Sequence, residues 1–197
     1  INLNIKFNLK IGIFTIASLF FLYLLYLSIP SLHDSGRVQK DLHKKLFEEF
    51  GLNFSLSSNI AYRILPQPHF HVKDSKIFEN RAKGTYEIGE IKDIKIFISQ
   101  KNLFKSENIK IKQIVLSKGN FFFNRQNFSF ISSLFENQFS KRKIYIKKSK
   151  LFFNDKNGST IFIYTIDNLN FFKNKKNNYQ IFKTKGNIFN VPITFNW

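Results

Sequence analysis

The sequence predicts a mainly β fold: one membrane-spanning helix, one short amphipathic helix, and then a succession of strands. Three features carry this reading. Ile11 to Ile29 is an uncharged apolar run, the segment from Arg37 to Phe50 repeats its apolar residues every four positions, and beyond Gly51 the apolar period drops to two. A chain of 197 residues has room for an anchor over residues 1–30 and one folded unit over residues 31–197. The chain starts at Ile1 without Met, and Trp197 ends an alternating run, so the β unit is expected to continue past Trp197.

The anchor reads IGIFTIASLFFLYLLYLSI between Lys10 and Pro30. At 1.5 Å per residue it makes roughly 28 Å of helix, against roughly 30 Å of hydrocarbon in a bilayer. It is long enough to span, and Ile11, Phe14, Phe20, Leu24 and Ile29 are its expected membrane contacts. A cleavable signal peptide needs small residues three and one before the cut; Ser28 with Pro30 and Ile29 with Ser31 do not supply them. A helix of a soluble core would show a polar stripe, which Thr15, Ser18 and Ser28 do not form. Lys6 and Lys10 precede the span while Arg37, Lys40, Lys44 and Lys45 follow it, so the positive-inside count opposes export. Long domains cross largely regardless of charge, and the expected arrangement is single-pass in the inner membrane with the C-terminal domain in the periplasm.

After Ser35 and Gly36, Val38, Leu42, Leu46 and Phe50 make one stripe of a helix from about Arg37 to Phe50, opposite Lys40, Lys44, Lys45, Glu48 and Glu49. Gly51 suits the C′ position. Such a helix either lies on lipid headgroups or caps the edge or mouth of a sheet.

The strands alternate apolar residues at Ile60, Tyr62 and Ile64; Phe70 and Val72; Ile94, Ile96 and Ile98; Ile109 and Ile111; Ile144 and Ile146; Ile161 and Ile163; and Phe189, Val191, Ile193 and Phe195. Turns are expected at Pro66-Gln-Pro68, Lys83-Gly84-Thr85, Lys118-Gly119-Asn120, Asn154 to Gly158 and Lys173 to Asn178. Phe128, Ile131, Leu134 and Phe135 mark one helical insertion, from about Phe128 to Asn137. Alternation gives each strand one apolar face, so a sheet of such strands owns a continuous apolar surface that a second sheet, a helix or a lipid must cover.

This order of parts, with FGLNFSLSSNIAYRILPQPHFHVKDSKI and IGEIKDIKIFISQKNLFKSENIKIKQIVLSKGNF, resembles the N-terminal region of the AsmA-like family. Ile91 to Ile98, Asn102-Leu103-Phe104 and Ile109 to Leu116 are similar to that family's strand, short connection, strand unit. These are inner-membrane-anchored periplasmic proteins of Gram-negative bacteria, related to the chorein-type groove-shaped lipid-transfer proteins. The resemblance implies an elongated, curved antiparallel sheet forming a groove that carries phospholipid toward the outer membrane, with other envelope proteins as further partners. On that reading Ile94, Ile96, Ile98, Ile109, Ile111, Ile144 and Ile146 line the groove, and Arg142, Lys143, Lys147 and Lys148 either attract headgroups at its rim or, as a charge run on a strand more often does, form its solvated face.

Lys and Arg outnumber Asp and Glu by 31 to 13, a net charge of +18. Such an excess can mark a nucleic-acid partner, but Lys, Asn, Ile and Phe are the types an AT-rich coding sequence favours, and no nucleic-acid motif accompanies the charge. No nucleic-acid partner is expected. Cysteine is absent, which excludes disulfides, thiolate metal sites and a Cys nucleophile. His69 and His71 lie two apart on one strand, yet no acidic cluster completes a metal site around them. Glu87 and Glu90 do not make a paired-carboxylate site, and Gly84 with Gly89 makes no phosphate loop. The expectation is a non-enzymatic protein with no cofactor, whose competing role is a tethered assembly scaffold with a closed β core.

Overall fold

The computed structural model describes residues 9–50, 52–81, 84–125, 127, 142–173 and 179–197. Helix α1 (Leu9–Ser28) continues into a 3-10 turn, Ile29–Leu32, where Pro30 occupies an early position that needs no N–H donor. Helix α2 (Ser35–Phe50) begins two residues earlier than its periodicity indicates, because Asp34 caps it. The Asp34 carboxylate accepts the Arg37 N–H at 2.8 Å and the Asp34 carbonyl accepts the Val38 N–H at 3.0 Å.

Nine strands follow among the described residues: β1 (Asn53–Ser55), β2 (Ile60–Arg63), β3 (His69–Arg81), β4 (Gly84–Ile98), β5 (Ile111–Asn124), β6 (Lys143–Asn154), β7 (Thr160–Lys173), β8 (Gln180–Ile188) and β9 (Val191–Asn196). They form one open sheet in the order β1-β3-β4-β5-β6-β7-β8-β9, with β2 on another part of β3. The expected antiparallel sheet is corrected at one pair: β5 and β6 run parallel. Parallel neighbours need a crossover, and the expected helix from Phe128 to Asn137 falls in that connection, outside the described residues.

A second correction concerns Lys118-Gly119-Asn120, which is the middle of β5 and not a turn. Val72, Ile94, Leu116, Ile146 and Leu169 lie side by side across five strands. The next buried residues along those strands are Ser75, Ile91, Gly119, Ser149 and Ile166, three positions away instead of two. The extra residue bends each strand without shifting the register among β3 to β7, with Asp74, Lys118 and Lys148 at φ of 49°, 56° and 48°. Because all five strands carry it at one level, neighbours stay in register and the apolar face continues across the bend. The Ser149 hydroxyl ties β5 to β6 at the bend, accepting the Gly119 N–H at 2.9 Å and donating to the Lys147 carbonyl at 2.9 Å.

Phe189 also departs from expectation: it does not alternate with Val191 in a strand. It forms the β8–β9 turn with Asn190, at φ of 48° and 64°, the backbone twist that two-residue hairpins favour. Gly186 in β8 admits no side chain, since a Cβ there would lie 2.0 Å from the Thr165 carbonyl oxygen.

Val38, Leu42, Leu46 and Phe50 of α2 enter the same buried cluster as Phe70, Val72, Ile94, Ile96 and Ile98. Polar ties fix the helix there. Gln39 donates to the Leu56 carbonyl, Ser106 donates to the Asp41 carboxylate, Lys45 donates to the Glu107 carbonyl, and Glu49 pairs with Arg142 at 3.2 Å. Of the two placements open to α2, the sheet-capping one is realised.

His69 is buried on the opposite face of β3 from Phe70, stacked on Phe97 at 5.0 Å, with its Nδ1–H donating to the Gln67 carbonyl at 2.7 Å. Burial holds its pKa below the ordinary 6.5, against the opposing pull of that hydrogen bond. The unfolded chain therefore binds a proton more readily than the folded one. The resulting stability is present above pH 6.5 and is lost as pH falls from there toward the depressed folded value. Urea midpoints of the detergent-solubilised chain should fall between neutral and mildly acid pH, and His69→Gln should reduce that slope. Equal slopes in the two proteins would contradict the assignment.

Candidate apolar trough and membrane anchor

Where α2 ends, the sheet's inner face is no longer filled. A cavity of about 200 Å³ lies between Phe50, Leu52 and Phe54 on one side and the sheet on the other. The sheet side is Ile77 and Ile88, then Ile114, Leu116, Phe121 and Phe123 of β5, Ile144, Ile146 and Leu151 of β6, Ile166, Leu169 and Phe171 of β7, and Phe182 of β8. Every lining side chain is apolar. A second depression of about 310 Å³ shares Leu151, Ile166, Leu169 and Phe182 and runs on over Phe153 and Phe162 to Ile188, Ile193 and Phe195. Its two hydroxyls, on Tyr164 and Thr184, satisfy each other at 2.8 Å. Together the two depressions form a trough from beneath Phe50 to β9, of the scale of small-ligand pockets, roughly 300–1,000 Å³.

The shared bend and the small residues shape this trough. Phe121 lies against Gly119 and Gly89, where an added Cβ would stand 3.1 Å and 3.0 Å from its ring. The small residues therefore let the Phe121 ring lie flat along the sheet. Ring contacts continue the wall, with Phe153 stacked on Phe162 at 4.1 Å and Phe182 edge-on to Phe195 at 6.0 Å.

Ile144 and Ile146 are part of the cavity wall. Ile94, Ile96, Ile98, Ile109 and Ile111 are not; they are buried in the packed core, on the part of the face that α2 closes. Alternation alone missed Leu151, which lies beyond the bend from Ile144 and Ile146, and in β7 it named Ile161 and Ile163, which are exposed, whereas Ile166 and Leu169 face inward. The signal for the bend is present in sequence: Val72-Lys-Asp-Ser75, Leu116-Ser-Lys-Gly119 and Ile146-Lys-Lys-Ser149 each place two polar residues and then a small one after an apolar residue. Of the expected rim cations, Arg142 is tied to Glu49, Lys143 sits 5.6 Å over the Phe172 ring, and Lys147 and Lys148 are exposed.

In the anchor, Ile11, Phe14 and Phe20 are exposed, whereas Leu24 and Ile29 are half-buried. Among the described residues, Ile11–Leu32 is long and apolar enough to cross a membrane. Thr15 and Ser28 return their hydroxyls to the carbonyls of Ile11 and Leu24, each at 2.8 Å, so neither presents an unpaired donor to lipid. The C-terminal end of the helix is docked. Tyr26 donates to the Gln100 carbonyl at 2.8 Å, Tyr62 donates to the Leu27 carbonyl at 2.7 Å, and His33 Nε2 donates to the Leu103 carbonyl at 3.0 Å. Burial pushes the Tyr62 phenol up to about 12. His71 bonds Asp93 at 3.0 Å, and His69 faces Phe97, so the two histidines of β3 turn to separate partners.

No curated protein matches the chain. The sequence model of the AsmA family matches residues 6–172, a stretch that takes in α1, α2 and the sheet into the end of β7. With an apolar N-terminal helix, a capping helix and a large open sheet in the order that family model spans, the chain belongs to the AsmA family.

Proposed function

We propose that this chain is an inner-membrane-anchored periplasmic protein that holds phospholipid by its acyl chains in the trough and contributes to lipid transport and outer-membrane biogenesis. The observation that supports this is a wholly apolar cavity, continuous with an exposed apolar face, that the protein's own side chains leave unfilled. Each methylene moved from water into it is worth about 0.8 kcal/mol, so acyl chains are retained by many non-directional contacts and can slide. Such binding needs no catalytic group and no cofactor, and we propose neither; other envelope proteins are the further partners, and nucleic acid is not one.

The test is photocrosslinking of the full chain in vesicles that contain phospholipid with a diazirine in its acyl chain. Adducts are expected on peptides carrying Phe121, Leu151 and Leu169 as well as on α1. Adducts confined to α1 would exclude lipid from the trough and leave the tethered scaffold as the role of the domain.

A further inference from the structure

We infer that the end of the β domain that clasps α1 is itself seated in the membrane interface, with Leu32, Leu65 and Phe104 at the acyl boundary and Arg63, Lys101 and Lys105 at phosphate level. This rests on α1 being a spanning helix and is independent of lipid in the trough.

The first argument is length. The stretch Ile11–Leu25 is free of the domain except at partly covered Gly12 and Leu24, and it provides roughly 22 Å of helix at 1.5 Å per residue. The hydrocarbon core is roughly 30 Å thick. The missing rise comes from Tyr26 to Leu32, the segment the domain grips through Gln100, Leu103 and Tyr62. Those gripping elements consequently stand at the level where the helix leaves the hydrocarbon.

The second argument is what the gripping elements expose. The β2–β3 loop and the β4–β5 connection share one end of the sheet, joined by the Ile98 N–H donating to the Pro68 carbonyl at 3.0 Å. Leu32, Leu65 and Phe104 are 84%, 77% and 70% exposed, and the Phe104 ring lies 5.6 Å from that of Tyr26 on the helix itself. Three large apolar tips around the exit of one spanning helix are unfavourable in water and favourable in the acyl boundary. Arg63 lies two residues before Leu65, and Lys101 and Lys105 flank Phe104. Their long stems allow the charges to reach lipid phosphates while the apolar tips insert. The same arrangement sets the trough at a fixed height over the bilayer, because the hydrogen bonds from α1 leave no free linker between anchor and sheet.

The chain has no cysteine, so single labels are straightforward. Phe104→Cys, Leu65→Cys, Phe14→Cys and Ile161→Cys, each carrying an environment-sensitive fluorophore, are placed in the full chain. They are reconstituted in vesicles of phosphatidylethanolamine with a minority of phosphatidylglycerol. All four positions are exposed, so no label enters the packed core, and Phe104→Cys removes its ring contact with Tyr26 while the three hydrogen bonds that grip α1 remain; Ile161 lies beside the β6–β7 hairpin at the opposite end of the sheet. Spin-labelled lipid is expected to quench positions 65 and 104 several-fold more than position 161, with blue-shifted emission, and to quench position 14 most. Quenching at 65 and 104 equal to that at 161, with position 14 in lipid, would overturn the seating alone. An aqueous signal at position 14 would overturn the anchor and the seating together.

Discussion

Leu46→Asp is expected to abolish the cooperative unfolding transition of the β domain, although the residue belongs to a short charged helix outside the sheet. Leu46 has 0% of its surface exposed and sits in the stripe with Val38, Leu42 and Phe50 that closes the sheet's inner face over Phe70, Val72 and Ile94. Truncation to Ala removes apolar contacts and leaves a cavity, for about 2–5 kcal/mol. An Asp there must either bury a carboxylate without a partner or expel the helix and bare the isoleucines beneath it. Domains of this size have about 5–15 kcal/mol of stability in total, so Ala should be survivable and Asp should not. Lys44→Ala, two residues away on the exposed side, touches only a long 3.8 Å pair with Glu48 and should change stability by less than about 0.5 kcal/mol. Thermal melting by circular dichroism checks the series. A normal melt for Leu46→Asp would mean that α2 is held by something other than its apolar stripe.

The places where the sequence was and was not legible follow from the range of each signal. The long apolar helix α1 and the short helix α2 were readable because their patterns persist over many residues: an uncharged run in one, and Val38, Leu42, Leu46 and Phe50 in the other. Strand existence was readable for the same reason, in Ile94-Lys-Ile96-Phe-Ile98 or Ile144-Tyr-Ile146. Which apolar residues meet was not readable, because one extra residue in a strand resets period-two alternation, and here five neighbouring strands each carry one at the same level. Strict alternation past Ile146 assigns Lys148 and Lys150 to the inner face, whereas the bend at Lys148 puts Ser149 and Leu151 there. The covering of Ile94, Ile96 and Ile98 by α2 is a tertiary fact that no local pattern encodes. Its consequence for function is large, since it moves the open part of the face from β4 toward β6, β7 and β8.

That displacement also fixes where a charge should interrupt lipid binding without unfolding the protein. Leu151 and Phe182 are half-buried and belong to both depressions of the trough. Carboxylates placed there by Leu151→Glu with Phe182→Glu stay hydrated in the empty trough, so the fold should survive with its melting temperature lowered by only a few degrees. An acyl chain laid over them must strip that water, at a cost of several kcal/mol per ion pressed against methylenes. Since about 1.4 kcal/mol is a tenfold change in occupancy, acyl-chain photoadducts on the trough peptides should drop by at least about tenfold, while those on α1 remain. Lys150→Glu, exposed on the other face of β6 beside Leu151, introduces a carboxylate without placing it in the path, and should leave both sets of adducts unchanged. Persistence of the trough adducts in the double variant would locate the lipid elsewhere on the sheet. Loss of them in Lys150→Glu as well would trace the adducts to attraction by surface charge, and in neither case would the apolar wall be the element that holds the chain.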